Sequence, residues 1–179
     1  SASAIRGEST AFAPAARRAP AQLGKLPIGL TVCEDTWVEP LGYPTDPVGE
    51  LAAAGAEVVF NPSCSPWHVD KARSRREMLA TLAARHRVSI VFVNQGGGND
   101  ELVFDGGSCV VDARGRVRAA LPLFDSAFAV VDLDAPEPAR EIADVVDPDA
   151  VAQLEQGLVL GIRDYFRKQG LPPGAVIGL

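Results

Sequence analysis

Residues 29–37 read Gly29-Leu30-Thr31-Val32-Cys33-Glu34-Asp35-Thr36-Trp37. The apolar run 28–32 predicts a short buried strand, and Cys33 follows at its end. In open α/β sheets the chemistry lies just outside the carboxyl ends of the strands, which favours a functional thiol at this position. Free cysteine is also among the most buried residue types, so a packing role is the alternative. Position alone leaves both interpretations open.

The composition describes an ordinary globular chain. Of the 179 residues, 47% are hydrophobic and 22% are charged, which predicts one domain and part of a second. The net charge is −6, and the lack of a large basic cluster argues against a nucleic-acid partner. Arg73, Arg75 and Arg76 share one predicted helix, where we expect them to form a solvated face.

Neither a membrane nor an oxidising compartment is indicated. No apolar run approaches the length of a membrane span, and we expect no signal peptide because the first residues lack an apolar core. The three cysteines, Cys33, Cys64 and Cys109, are widely spaced. Their spacing suits neither a disulfide framework nor a metal site, so we expect a reducing, cytoplasmic setting.

The first half of the chain alternates between strand and helix patterns. Residues 1–22 are rich in Ala, Ser, Pro and Arg and are predicted to be irregular. The segments that follow, in the order strand, helix, strand, helix and strand, are 24–33, 46–55, 57–61, 71–87 and 88–94. Residues 38–45 form a predicted loop, and Asp46-Pro47 is typical of a helix start. This order predicts crossover connections within an α/β sheet.

The pattern changes after Gly96-Gly97-Gly98. Short runs at 101–104, 108–112, 117–123 and 127–132 predict a β-meander, with a hairpin loop at 113–116. The glycine run could suggest a phosphate cradle. That signal is weak, because no Lys-Ser or Lys-Thr pair and helix follow it.

The last part of the chain predicts a linker and then a helix. Residues 135–147 carry prolines and acids, which predicts a linker or a segment that lies along the domain surface. Asp147-Pro148 repeats the capping pattern. The apolar stripe of the predicted helix consists of Val151, Leu154, Leu158, Ile162 and Tyr165. Gly170 ends this helix, and residues 175–179 begin another predicted strand.

Four segments together resemble one family. The pattern Cys33-Glu34-Asp35-x-Trp37 after an apolar strand resembles the nucleophile segment of the nitrilase superfamily. Residues 61–68, 93–108 and 157–179 then resemble, in order, the glutamine-dependent NAD synthetases. The stretch 94–108 is the most characteristic of that family. The resemblance covers residues 23–179.

This resemblance implies the fold and the division into domains. The fold class is α/β: part of a nitrilase-like αββα sandwich, with a mixed sheet and a meander, followed by the start of a Rossmann-like synthetase domain. Residues 23–134 would be the C-terminal part of the glutaminase domain, 135–147 the linker and 148–179 the start of the synthetase domain. We therefore expect an interior piece of a longer protein.

The resemblance also implies a Glu-Lys-Cys catalytic triad in which Cys33 is the nucleophile. The backbone N–H of Glu34 would face the oxyanion, and its side chain would help bind the substrate. Ser65 and Lys71 resemble the pair that binds the α-amino and α-carboxylate groups of glutamine. The alternatives are a solvent-facing Glu34 and an exposed Lys71 in the first turn of a helix.

Other residues near these motifs support weaker hypotheses. Asn94 and Gln95 either line the pocket or fasten its loop, and Asp35 and Trp37 shape the turn. The triad glutamate and lysine are expected upstream of this chain. Lys25 is a weak candidate for that lysine, since it lies just ahead of the strand that carries the nucleophile.

The main chemical rival is a cysteine–histidine enzyme. Only His68 and His86 are present, and His68 would be the partner of Cys33. We expect His86 to be exposed. Cys64 is expected to serve packing, and Cys109 to lie in the core of a strand.

The function implied by the resemblance joins two reactions. Glutamine is hydrolysed at the cysteine, and the ammonia amidates deamido-NAD to NAD with ATP and Mg²⁺, which would bind outside this chain. We expect a homo-oligomer with small-molecule substrates, and an inactive chain on its own because two triad members are missing. The alternatives are a stand-alone nitrilase-type amidase or carbamoylase, and a truncated module without a working site.

Overall fold

The computed structural model describes residues 15, 18–135, 139–172, 174 and 176. The strands, in chain order, are β1 (Ala21–Leu23), β2 (Leu26–Leu30), β3 (Val58–Ser63), β4 (Ser89–Asn94), β5 (Gly96–Asn99), β6 (Leu102–Asp105), β7 (Cys109–Val111) and β8 (Val117–Ala120). The α-helices are α1 (Val38–Leu41), α2 (Pro47–Ala53), α3 (Lys71–His86) and α4 (Ala150–Gln169). Two 3-10 turns cover Cys33–Thr36 and Ile142–Asp144.

Six of these strands form one mixed sheet in the spatial order β1-β2-β3-β4-β7-β8. The pairs β2–β3 and β3–β4 are parallel, so α2 and α3 are the crossover helices between them. The remaining pairs of this sheet are antiparallel. The predicted α/β architecture, with crossover units followed by antiparallel strands, is confirmed.

One face of the sheet packs against α2 and α3. Side chains alternate between the faces of a strand, and Val59, Ile90 and Phe92 on this face are at most 1% exposed. Each such side chain contributes about 1.5–3 kcal/mol by leaving water. The start of α2 is fixed as predicted, because the Asp46 carboxylate accepts a hydrogen bond from Gly49 N at 3.0 Å.

The opposite face of the sheet is partly open among the described residues. Leu30 is 62% exposed and Val93 is 53% exposed, although both lie in strands. An exposed apolar sheet face marks a surface that another layer covers. The expected αββα sandwich would place its second sheet here.

The glycine run forms a strand rather than a loop. Gly96, Gly97 and Gly98 belong to β5, which pairs with β6 in a separate two-stranded sheet. Gly97 has φ +123°, which disfavours residues with a side chain. A Cβ added at Gly98 would lie 3.0 Å from the Cα of Gly161 in α4. The glycines therefore serve a tight hairpin and a close helix contact.

Two local predictions differ from the structure. Residues 127–132 form no strand, and Phe128 and Val130 are 88% and 86% exposed, since an alternating pattern needs a partner strand to pair with. The predicted loop 38–45 contains the short helix α1. In the segment predicted to be a linker or to lie along the domain surface, Arg140 exchanges backbone hydrogen bonds with Val117 on β8.

Helix α4 begins two residues later than predicted. Asp149 is its cap, accepting hydrogen bonds at 2.9 Å from the N–H groups of Val151 and Ala152. Asp147, the predicted cap, forms an ion pair with Arg76 instead. The predicted apolar stripe faces outward, and its residues are 47–76% exposed. The buried residues of α4 are Gln153, Gly157 and Leu160.

Two predicted segments lie largely outside the described residues. Of the irregular segment 1–22, residues 15 and 18–22 are described, and the last two of these belong to β1. Of the predicted strand 175–179, Val176 alone is described.

Candidate active site

Cys33 lies in a tight turn at the carboxyl end of β2. Its φ of +43° is left-handed, and such a backbone conformation costs on the order of 1–3 kcal/mol for a residue that is not glycine. Asp35 holds the turn, because its carboxylate accepts a hydrogen bond from Val32 N at 2.8 Å. Thr36 Oγ1 donates to the carbonyl oxygen of Cys33 at 3.1 Å. The turn presents a half-buried thiol in a fixed and strained position.

Lys71 begins α3 close to this turn. Its Nζ lies 5.3 Å from the centroid of the Trp37 ring, a cation–π distance. Burial and the nearby Arg75 lower the pKa of Lys71, while the charges of Asp105, Cys33 and Glu34 act in the opposite direction. Lys71 therefore lies within electrostatic reach of both the thiol and Glu34.

Glu34 is oriented by a tyrosine that the sequence analysis did not single out. Tyr43 Oη donates to Glu34 Oε2 at 2.6 Å. The two residues are separated by α1, which lies in the segment predicted to be a loop. Because this short helix brings Tyr43 back toward the Cys33 turn, its role follows from the fold and not from a motif.

Ser65 is held in place through its backbone. It is 3% exposed, and its N–H donates to Asn94 Oδ1 at 2.9 Å. The Asn94 amide group donates in turn to Asp105 Oδ1 at 3.0 Å and to the carbonyl oxygen of Gly106 at 2.9 Å. Of the two roles left open for Asn94, the structure supports fastening of the loop.

A buried ion pair anchors this network. Arg75 donates to both carboxylate oxygens of Asp105 at 3.2 and 3.0 Å, and both side chains are 0% exposed. The Arg75 guanidinium also lies 5.0 Å from the centroid of the Phe92 ring. The prediction of a solvated arginine face is therefore wrong for Arg75 and Arg76, the latter being 2% exposed. It holds for Arg73, which pairs with Glu77 at the surface.

Among the rival catalytic groups, Lys25 lies far along the strand from Cys33, and each of the two histidines contacts another group. Lys25 lies in the β1–β2 turn, at the opposite end of β2 from Cys33. The Nδ1 atom of exposed His68 lies 2.8 Å from the carbonyl oxygen of Val69. His86 is paired with Asp46 at 2.7 Å and is only 19% exposed, which corrects the expectation that it is exposed.

The other two cysteines differ from each other in environment. Cys109 is buried as predicted, and burial raises the pKa of its thiol to about 11. Cys64 is exposed rather than packed, and its Sγ donates to Gln95 Oε1 at 3.0 Å. Among the described residues, no three His, Cys, Asp or Glu side chains are grouped to hold a metal ion.

This fold and thiol turn define a class of protein. Residues 6–140 match the carbon-nitrogen hydrolase family, and the chain belongs to that family. Within the described part of the chain, no helix is long and apolar enough to cross a membrane.

The curated relatives of this chain have a more specific name than the family. The glutamine-dependent NAD(+) synthetase of Rhodobacter capsulatus is 38% identical over 89% of this chain. The synthetases of Synechocystis sp. and Thermotoga maritima are 35% and 33% identical over 96% and 94%. The expected family resemblance is confirmed. The chain spans only 28%, 32% and 34% of the length of these three relatives.

Solved structures agree with the fold. One is a glutamine-dependent NAD⁺ synthetase from Acinetobacter baumannii, solved with ADP, which is 27% identical with a TM-score of 0.78. The match covers 92% of this chain and 30% of the synthetase chain. A nitrilase-superfamily amidase from Nesterenkonia matches 64% of this chain and 41% of its own with a TM-score of 0.54 and 28% identity. The nitrilase-like fold expected from the sequence is confirmed.

Proposed function

We propose that this chain is part of a glutamine-dependent NAD synthetase and carries the nucleophile of its glutaminase site. The supporting observation is the strained Cys33 turn, which lies beside Lys71 and Glu34 in a chain similar to such synthetases over most of its length. An amidase also fits the Cys33 turn. The similarity to synthetases continues beyond the amidase-like part of the chain, and this favours the synthetase.

The proposed reaction begins at the Cys33 thiolate. Its Sγ forms a bond to the side-chain amide carbon of glutamine, and the Glu34 backbone N–H donates to the oxyanion. The C–N bond then breaks, and the nitrogen takes up a proton and leaves as ammonia. Water hydrolyses the thioester to glutamate and restores the thiol. The glutamate base and the lysine of the triad would lie outside this chain.

Ser65 and Lys71 would bind the amino-acid end of glutamine. A zwitterion needs opposed polar partners, and cationic Lys71 suits the α-carboxylate. The Arg75–Asp105 pair and Asn94 keep the Ser65 loop fixed before substrate arrives, which supports this assignment. A site held in position in advance spends less free energy on ordering when it binds.

The second reaction would take place outside this chain. We propose that the remainder of the longer protein binds ATP, Mg²⁺ and deamido-NAD, and that the intact protein is a cytoplasmic homo-oligomer. In the following experiments, "full-length protein" means this longer protein.

The function is tested by the choice of nitrogen donor. The full-length protein should form NAD from deamido-NAD and ATP with either glutamine or ammonium, releasing about one glutamate per NAD in the first case. High-performance liquid chromatography measures both products. Hydrolysis of simple amides without ATP, and no NAD from either donor, would support the stand-alone amidase. No turnover with any of these substrates would support the inactive module.

Substitution of Lys71 tests the substrate contact. In the full-length protein, Lys71→Ala should raise the KM for glutamine roughly ten- to a hundred-fold, because one charge-assisted hydrogen bond is lost. Ammonium-driven synthesis should be unchanged. Lys25→Ala, which removes an exposed lysine from the far end of β2, is the control. An unchanged KM for glutamine in Lys71→Ala would place Lys71 outside the binding site.

A further inference from the structure

Helix α4 holds one residue of the β5–β6 hairpin by both of its backbone polar groups. Asp164 Oδ2 accepts a hydrogen bond from Gly98 N at 2.8 Å, and Lys168 Nζ donates to the Gly98 carbonyl oxygen at 2.6 Å. Asp164 and Lys168 are four residues apart, so they lie on one face of the helix. We call these two contacts the Gly98 clamp.

The clamp is electrostatically favourable at the Asp164 carboxylate. Burial alone would raise the pKa of Asp164, but the Gly98 N–H and the charges of Arg163 and Lys168 outweigh it and hold the pKa below its usual range. The carboxylate is thus stabilised in its charged form by the strand that it holds.

Small residues bring the helix backbone against the same region. A Cβ added at Gly161 would lie 3.2 Å from Val103 Cγ2 on β6. At Gly157 it would lie 3.0 Å from the ring of Trp67, which belongs to the loop of the proposed glutamine site. These contacts leave no room for a larger side chain at either position unless its neighbour moves.

The β5–β6 hairpin is joined directly to the glutamine loop, by which we mean residues 64–70 between β3 and α3. Trp67 N donates to the Val103 carbonyl oxygen at 2.7 Å, and Pro66 forms a β-bridge with Phe104. At the far end of β6, the Asp105 carboxylate accepts a hydrogen bond from the side-chain nitrogen of Asn94. The side-chain oxygen of Asn94 in turn accepts one from Ser65 N. A continuous set of contacts therefore runs from α4 through the hairpin to Ser65.

We propose that α4 sets the position of the glutamine loop through the Gly98 clamp, which makes Asp164 and Lys168 positioning residues for a substrate that they do not touch. This inference rests on the proposed function, because it assigns Ser65 to glutamine binding. It adds a dependence of that site on a helix almost a hundred residues further along the chain.

The first test removes the clamp in the full-length protein. The double variant Asp164→Ala/Lys168→Met should raise the KM for glutamine by roughly tenfold with a smaller change in kcat, because the loop loses its position while the thiol keeps its own. The single variant Lys168→Arg, which keeps a cation at this position, should retain most of the affinity for glutamine. Arg167→Met, which removes the neighbouring exposed cation, should leave glutamine kinetics unchanged.

The second test displaces the loop without weakening the helix. Gly157→Ala introduces the better helix former, so a loss of helix cannot explain its effect. The added methyl group should push Trp67 aside and raise the KM for glutamine as the double variant does. Ammonium-driven synthesis should continue at the unaltered rate in every variant.

Amide hydrogen exchange separates this proposal from the proposed function. In the double variant the amides of Ser65 and Trp67 should exchange roughly tenfold faster than in the unaltered protein, because local opening becomes easier. Unchanged exchange would overturn the clamp, even in a protein that hydrolyses no glutamine. Faster exchange with an unchanged KM for glutamine would overturn its positioning role. Missing glutamine hydrolysis in the unaltered protein would refute the proposed function alone.

Discussion

Replacement of Cys33 by alanine is expected to abolish glutamine-driven NAD synthesis while ammonium-driven synthesis continues. In the proposed reaction the thiol forms the covalent bond to glutamine, and removal of one member of a catalytic unit costs at least about 10⁴-fold in rate. Added ammonium bypasses that step, because it supplies the nitrogen directly. Both rates are measured as NAD formation by the full-length protein.

The control for this experiment is Cys64→Ala. Cys64 is exposed, so its removal should leave both activities intact. A glutamine-like electrophile should label Cys33, whereas buried Cys109, with a pKa of about 11, should not react. Label found on Cys64 by peptide mapping, or loss of both activities in folded Cys33→Ala protein, would contradict the assignment.

Replacement of Arg75 by methionine is expected to destabilise the fold by about 3–5 kcal/mol, since it leaves the Asp105 carboxylate buried without its ion-pair partner. Both side chains are 0% exposed, and the carboxylate accepts two hydrogen bonds from the guanidinium. Urea unfolding of the 179-residue chain, followed by tryptophan fluorescence, measures the loss as a shift in the midpoint at constant m.

Two further variants identify the cause of that loss. Arg73→Met removes an exposed arginine from the same helix and should change stability by no more than about 0.5 kcal/mol. Arg75→Met/Asp105→Asn removes both charges and should recover part of the stability. If Arg75→Met costs no more than Arg73→Met, the ion pair does not anchor the network.

The parts of the fold that local patterns specify were predictable. The strand before Cys33, the Asp46 cap and helix α3 depend on residues close together in sequence, so periodicity and capping residues suffice to find them. Of the candidate site, the sequence brought Cys33, Glu34 and Lys71 forward through a family resemblance. The proximity of Lys71 to Cys33 and Glu34 depends on the parallel pairing of β2 with β3, which only the fold provides.

The missed features depend on distant partners. An arginine on a helix predicts solvent contact unless its partner is known, and Asp105 lies thirty residues after Arg75. The apolar stripe of α4 predicted a helix correctly but not the face that packs against this part of the chain. Gly157 and Gly161, four residues apart, were the available signal, because small residues on one helix face allow close backbone approach.

Because its backbone is left-handed, Cys33 lowers the stability of the fold at the same position where the proposed reaction needs a thiol. Glycine at this position would relieve a conformational cost on the order of 1–3 kcal/mol, but it would also remove the thiol. Sequences selected only for resistance to heat would therefore favour glycine here, whereas selection for the proposed glutaminase reaction would keep cysteine. A programme that raises the thermal tolerance of this protein must find its gains at other positions.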